Sequence, residues 1–184
     1  TAPMKDSGIP TIGQVPAHWK VERCKSVFQE VDHRSVTGEE ELLTVSHITG
    51  VTPRSEKNVG MFMAESLVGY KKCQENDLLI NTMWAWMGAL GISKYTGVVS
   101  PSYNVYRLRH GHALPDFLHL YFRTPQFKVE INRYSKGIWS SRLRLYPDEF
   151  LNMLVLIPPK SEQQAIVESV KASTSQYGVF INKL

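Results

Sequence analysis

"IWSSRLRLYPDEFLNMLVLIPPKSEQQAIVESV", residues 138–170, decides how the rest of the chain is read. It opens on a basic stretch, crosses an apolar segment, meets Pro158-Pro159 and enters a helical pattern. The segment "FLNMLVLIPP" (150–159) predicts a short buried strand. Two prolines end it, because proline fixes φ and has no N–H to give to a ladder. Ser161 and Gln164 then match the capping-box spacing, which predicts a helix starting at Ser161. Along that helix Ile166, Val170, Ser173, Tyr177, Phe180 and Leu184 alternate in steps of four and three, a coiled-coil-type seam with Ser173 as its polar exception. Gly178 weakens the seam, and a helix lying on its own domain would want the same stripe, so both readings stay open. The stripe still runs at residue 184, as expected of a longer helix or of a stem completed by self-association.

Upstream of the strand, "RYSKGIWSSRLRLY" (133–146) carries Arg133, Lys136, Arg142 and Arg144 and no acid, interleaved with Tyr134, Trp139, Ser140 and Ser141. Cations neutralise phosphates, while arginine forks, hydroxyls and an indole can meet base edges. Gly137 permits a tight turn. A merely solvated cationic loop has the same composition, so the stretch is a footprint and no proof. A second candidate is "INTMWAWMGALG" (80–91), in which Met83, Trp84, Trp86 and Met87 crowd together. Methionine and tryptophan fill irregular cores. Equally, Trp84 and Trp86 share one parity of a strand, and Asn81 and Thr82 precede them, so a loop edge offering Asn81, Thr82 and a tryptophan to DNA also fits.

The chain has 184 residues, 42% hydrophobic and 21% charged, with a net charge of +4, which suits one domain plus an appendage with a modest basic bias. Cys24 and Cys73 stand far apart, which indicates neither a disulfide framework nor a zinc cage. No stretch has the ~18 apolar residues of a membrane span, and "TAPMKDSGIP" lacks a secretory core; Met4 is the expected natural start and the cytoplasm the expected location. Enzyme signatures are missing: there is no phosphate-cradling G-x-x-x-x-G-K-[S/T], no G-x-G-x-x-G and no G-x-S-x-G elbow. "PSYN" (101–104) has the wrong order for the Asn-Pro-Pro-Tyr cluster of amino-methyltransferases, and His110 and His112 flank Gly111 without a third metal ligand. The reading is a non-catalytic chain without cofactor or metal.

Elsewhere, "DSGIPTIGQVPAHWKVER" (6–23), broken by glycines and prolines, is expected to wrap a surface, with Trp19 and Val21 plugging it onto the core. "EEELLTVSHITGVTPR" (39–54) predicts one strand closed by a turn, and "VGMFMAESLVGYKKCQENDLLIN" (59–81) a short helix and a strand ending near Asn81. "GISKYTGVVSPSYNVYRLR" (91–109) predicts two strands joined around Tyr95-Thr96-Gly97. Pro115 opens one helix, and Thr124 caps a second, "PQFKVEINRY".

Three blocks carry a resemblance. "KDSGIPTIGQVPAHWKVERCK" (5–25) resembles the opening of type I restriction-modification specificity (S) subunits. "MWAWMGALGISKYTGVVSPSYNVYR" (83–107) resembles the central block of one subgroup of their target recognition domains. "YSKGIWSSRLRLYPDEFLNMLVLIPPKSEQQAIV" (134–167) resembles the block that ends such a domain and enters the spacer helix, with Pro158, Pro159, Glu162, Gln163 and Ile166 as its most specific part. The resemblance implies an α/β (α+β) fold: a target recognition domain over 1–160 with a twisted mixed or antiparallel sheet and short flanking helices, then a spacer or dimerisation helix over 161–184. It further implies double-stranded DNA as a partner, alongside modification (methyltransferase) subunits and a restriction subunit, with no catalytic residue here. The expected DNA-binding residues are Arg133, Lys136, Trp139, Ser140, Ser141, Arg142, Arg144, Asn81, Thr82 and Trp84; Ile166, Val170, Tyr177, Phe180 and Leu184 are expected at the helical interface. The competing reading is a protein-interaction scaffold that uses the seam helix and touches DNA only incidentally.

Overall fold

The computed structural model describes residues 2–57, 64–109, 111, 113–139 and 142–181, and the side chains of these up to residue 175. Its elements run β1 (Met4–Asp6), β2 (Gln14–Pro16), β3 (Lys20–Arg23), α1 (Cys24–Val27), β4 (Phe28–Val31), β5 (Leu43–Ser46), β6 (Gly50–Pro53), β7 (Lys71–Cys73), β8 (Leu78–Ile80), β9 (Leu90–Ile92), β10 (Gly97–Val99), β11 (Asn104–Leu108), α2 (Pro115–Phe122), α3 (Pro125–Tyr134), α4 (Pro147–Asn152), β12 (Leu154–Ile157) and α5 (Lys160–Ile181). The named strands pair antiparallel throughout. This is a mixed α+β domain, as the sequence implied.

A four-stranded sheet ordered β4-β11-β8-β9 lies at the centre, and strand alternation divides the core between its faces. Phe28, Leu78, Ile80 and Tyr106 point into a cluster with Phe117, Phe122, Phe127 and Phe150 from the helices. Val31, Leu79 and Val105, of opposite parity, join Leu43, Val45 and Val99 on the other side. Both faces are covered, so β8 reads as an unbroken apolar run. The helical side is knit by aromatic contacts, Tyr106 to Phe150 at 4.4 Å and Phe122 to Phe127 at 4.7 Å between ring centroids. Gly97 lets β10 meet the chain before β5: a Cβ there would sit 2.3 Å from the carbonyl oxygen of Glu41.

Several local expectations change. The stretch 39–54 is a hairpin, because Ser46 Oγ accepts from the Thr49 N–H (3.0 Å) and Gly50 takes φ +68°, closing a turn inside the apolar run. Residues 6–23 form strands as well as surface loop: β1 pairs with β2 across turns with Gly8 and Gly13 at positive φ, and β3 pairs with β12. Trp19 and Val21 do pack on the small cluster of Ile9, Val15 and Leu156. Between 90 and 108 there is no single hairpin; β9 joins β8 while β10 joins β7. Among described residues 64–81 no helix forms, and the remainder of the helix expected within 59–81 lies outside them. Pro147 at the first helical position, with Asp148 and Glu149 in the first turn, starts α4, which takes residues 150–152 from the strand expected over 150–159. Thr124 caps α3 as expected, accepting from the Phe127 N–H at 3.2 Å.

The capping box at Ser161 does not form. The Pro159 carbonyl already accepts from the Glu162 and Gln163 N–H groups, so α5 begins at Lys160 and Ser161 sits inside the first turn. The helix is anchored instead by tertiary contacts. Glu162 accepts from Trp19 Nε1 (2.7 Å) and pairs with His18 (2.5 Å). Gln163, fully buried, accepts from the Leu114 N–H (2.8 Å) and donates to the Pro158 carbonyl (2.7 Å). Ile166 packs against the domain core beside buried Val167, whereas Val170 is exposed. The seam thus begins as a domain contact. The side chains of Tyr177 and Phe180, and Leu184 entirely, lie outside the described residues.

Candidate nucleic-acid interface

The basic stretch leaves α3 at Tyr134 and returns to α4 at Pro147. Lys136 and Arg144 exchange both backbone hydrogen bonds at 2.9 Å, and the Arg142 N–H donates to the Trp139 carbonyl at 2.9 Å, so the loop has a closed base. Gly137 is required there because a Cβ would lie 2.7 Å from the Arg142 carbonyl oxygen. Its role here is close approach of the loop's own arms. Buried Leu145 pins the returning arm.

The cations divide into two kinds. Arg133 donates to both oxygens of Glu130 (2.9 and 3.0 Å), a nearly buried carboxylate that also accepts from Thr11 Oγ1. Lys136 is paired with Glu149, whose carboxylate raises the lysine pKa above its ordinary value. Arg142 and Arg144 are exposed, with no ion pair among the described residues. Ser140 and Ser141 lie outside the described residues, as do His110 and His112.

The tryptophan segment is a 3₁₀ turn over Ala85–Met87, not a strand, and Gly88 at φ +94° closes it. Trp84 and Trp86 nevertheless stack, with centroids 6.0 Å apart and planes 19° from parallel. Asn81 and Thr82 are not offered outward. Asn81 is buried, donates to the Val45 carbonyl (3.3 Å) and Tyr103 Oη (3.0 Å), and accepts from the Met83 N–H. Thr82 Oγ1 donates to the Ser102 carbonyl at 2.6 Å. Their polar atoms build the turn that holds Trp84 at the surface, half exposed. Asn132 of α3 steadies the turn by donating to the Trp86 carbonyl at 3.0 Å.

The fold brings the two candidates together. Met83 and Trp84 line one open concavity of about 500 Å³ with Lys136, Gly137, Arg142, Leu143, Arg144 and Tyr146. Met83 and Tyr146 fall within the two candidate stretches but are not among the expected DNA contacts; the docking of α3 against the turn makes them neighbours of the loop. Among the described residues no group of three or more His, Cys, Asp or Glu is placed to hold a metal, and no helix is long and apolar enough to cross a membrane.

The α+β fold with its antiparallel sheets matches that of HsdS specificity subunits of type I restriction-modification systems. No family model and no curated protein matches the sequence. Among solved structures, the HsdS subunit from Thermoanaerobacter tengcongensis matches over 92% of this chain and 40% of its own, at 16% identity and a TM-score of 0.62. A structure described for complex assembly and conformational transition of the type I R-M system matches over 90% of this chain and 40% of its own, at 16% identity and a TM-score of 0.60. The type I S subunit from M. genitalium matches over 89% and 41% respectively, at 11% identity and a TM-score of 0.56. The chain therefore spans about two-fifths of the length of the structures it matches, and at this identity what is shared is the fold.

Proposed function

We propose that this chain is a sequence-reading DNA module of a type I restriction-modification specificity subunit, reading one half of a bipartite target and contributing no catalytic residue. The observation that carries the reading is the concavity in which Arg142 and Arg144, without an ion pair among the described residues, meet exposed Trp84 on an HsdS-type fold. In it the arginines contact phosphates or guanine edges and the indole packs on sugar or base. Arg133 and Lys136, whose charges are already partnered, serve as supports. The covalent chemistry would belong to methyltransferase and restriction subunits docked alongside. Helix α5 would be the beginning of a spacer whose direction is fixed by Glu162 and Gln163, because rotation along B-DNA couples half-site distance to angular register.

The test is Arg142→Ala and Arg144→Ala, with affinity measured against salt and across sequences. A base-reading arginine is expected to cost ~1–3 kcal/mol and relax one position, whereas a phosphate contact weakens every sequence alike and lowers the salt slope by about one. Unchanged binding in both variants would remove this face from the interface. The exposed apolar Val170 on α5 favours a second reading, a protein-binding scaffold. Such a module would show almost no slope of affinity against salt, where DNA binding gives about −0.9 per phosphate contact.

A further inference from the structure

Ile138 and Trp139, on the basic loop, have a physical profile that phosphate contact does not explain. They are 94% and 68% exposed, adjacent, large and apolar. Single exposed apolar residues are ordinary, but two adjacent large ones on a loop with a closed base are not. The Lys136–Arg144 exchange closes the base of the loop, and Gly137 packs its arms backbone to backbone. These side chains are held out, so leaving them in water is a standing cost that a partner would relieve.

The surroundings say what kind of partner. No acid occurs between Tyr134 and Pro147; of the carboxylates near the loop, Glu149 and Glu130 are held by Lys136 and Arg133, and Asp148 is exposed on α4. Exposed apolar side chains beside Arg142 and Arg144, which have no ion pair among the described residues, complement a partner that is apolar inside and anionic at its rim. Stacked base pairs between two phosphate strands have that layout. A two-residue tip also suits the minor groove, ~6 Å wide.

We infer that Ile138 and Trp139 form a wedge that enters a base step of duplex DNA, partly unstacks it and bends the helix, so that the module reads deformability as well as base edges. This rests on the DNA-binding reading above and deepens it. Wedged side chains in other DNA-binding proteins kink duplexes by ~20–90°. Pyrimidine–purine steps such as TA yield most easily, and A-tracts resist. Arg142 and Arg144 hold the phosphates on either side while the tip enters. A preference therefore arises at a position where no hydrogen bond is made to a base.

The experiment uses the full chain with short duplexes that carry either a TA step or an A-tract at the same place in the half-site. End-to-end energy transfer reports bending, and 2-aminopurine beside the step reports unstacking. The wild type is expected to shorten the end-to-end distance, raise 2-aminopurine emission and favour the TA duplex by about tenfold, the scale of a modest deformation cost. In the Ile138→Ala/Trp139→Ala variant the preference and the bend are expected to vanish, while the salt slope set by Arg142 and Arg144 persists. Both side chains are exposed, so the variant retains the fold. Salt-dependent binding by wild type without bending, or equal bending by the variant, would overturn the wedge and leave the DNA reading standing. Failure of the wild type to bind any duplex would overturn both. Capture on phosphatidylserine vesicles, lost in the variant and without duplex binding, would reassign the tip to a membrane surface and likewise overturn it.

Discussion

Two populations of arginine share this small domain, and their surroundings separate them completely. Arg107 donates through Nε and Nη2 to both oxygens of Asp77 at 3.0 and 2.9 Å, and Arg123 donates to the carbonyls of Leu90, His47 and Ile48 at 2.8–3.1 Å. These side chains hold elements together. Arg142 and Arg144 are of the same chemistry and equally available to a folding chain, yet they stand on a loop without acids and have no ion pair among the described residues. A guanidinium with filled forks is architecture; one with empty forks is available to a ligand. Charge alone therefore locates no site, whereas charge left over after folding does.

Breaking the architectural population should have the largest effect. Asp77 is almost fully buried and also accepts from the Gln74 N–H at 2.9 Å. Asp77→Ala strands Arg107 beside the sheet and is expected to cost ~3–5 kcal/mol in denaturant unfolding, the usual result of removing one partner from a buried pair. Retained stability would mean that water replaces the carboxylate freely. Arg123→Met comes next, at ~1.5–3 kcal/mol, the range for hydrogen bonds from a charged donor. It also frees the β5–β6 turn, so amide exchange should quicken around His47 and Ile48; a loss spread evenly over the domain would contradict a local tie.

The same substitution on the other population should barely register in stability. Arg142→Ala with Arg144→Ala is expected to stay within about 0.5 kcal/mol of wild type in unfolding, as for surface positions without partners. DNA affinity should fall meanwhile. A matching loss of stability would show that the two forks are engaged in the fold and would erase the distinction.

Which population a cation joins was only partly legible in the sequence. The acid-free loop, the strand before the double proline and the helices opened by Pro115 and Thr124 rest on short-range rules, and each forms. Asn81 and Thr82 were placed on the DNA face because polar residues beside tryptophan look like a reading edge. They turn inward because Val45, Tyr103 and Ser102, 20 to 36 residues distant, supply their partners. Lys136 and Arg144 look alike in one dimension, and only Glu149 on α4 separates them. Ser161 failed as a cap because Pro159 started the helix first and tertiary partners took Glu162 and Gln163. Long-range pairing decides these cases, and no local pattern records it.

The smallest effect concerns a cation between the two populations. Lys171 of α5 meets Asp116 of α2 at 2.8 Å, with both side chains more than half exposed. The hydrogen bond from Lys171 holds the Asp116 carboxyl below its ordinary range against a weaker opposing effect of burial, with Lys171, Lys94 and His119 adding charge in the same sense. A folded-state pKa that is depressed contributes stability in full above the unfolded value, about 3.9, and loses it as pH falls through the folded value. Solvent screening limits the gain to ~0.2–1 kcal/mol, less at high salt. Glu162, held low first by the Trp19 indole N–H and then by His18, loses its contribution in the same direction. Protection of the α5 backbone should therefore weaken as pH falls below about 4, while the sheet, fastened by β8 and β11 in the core, stays protected longer. Asp116→Asn should remove part of that pH dependence and Glu162→Gln a further part. If the helix instead loosened together with the sheet, α5 would be held by Ile166, Val167 and the uncharged Gln163, and its ties through Asp116 and Glu162 would be incidental.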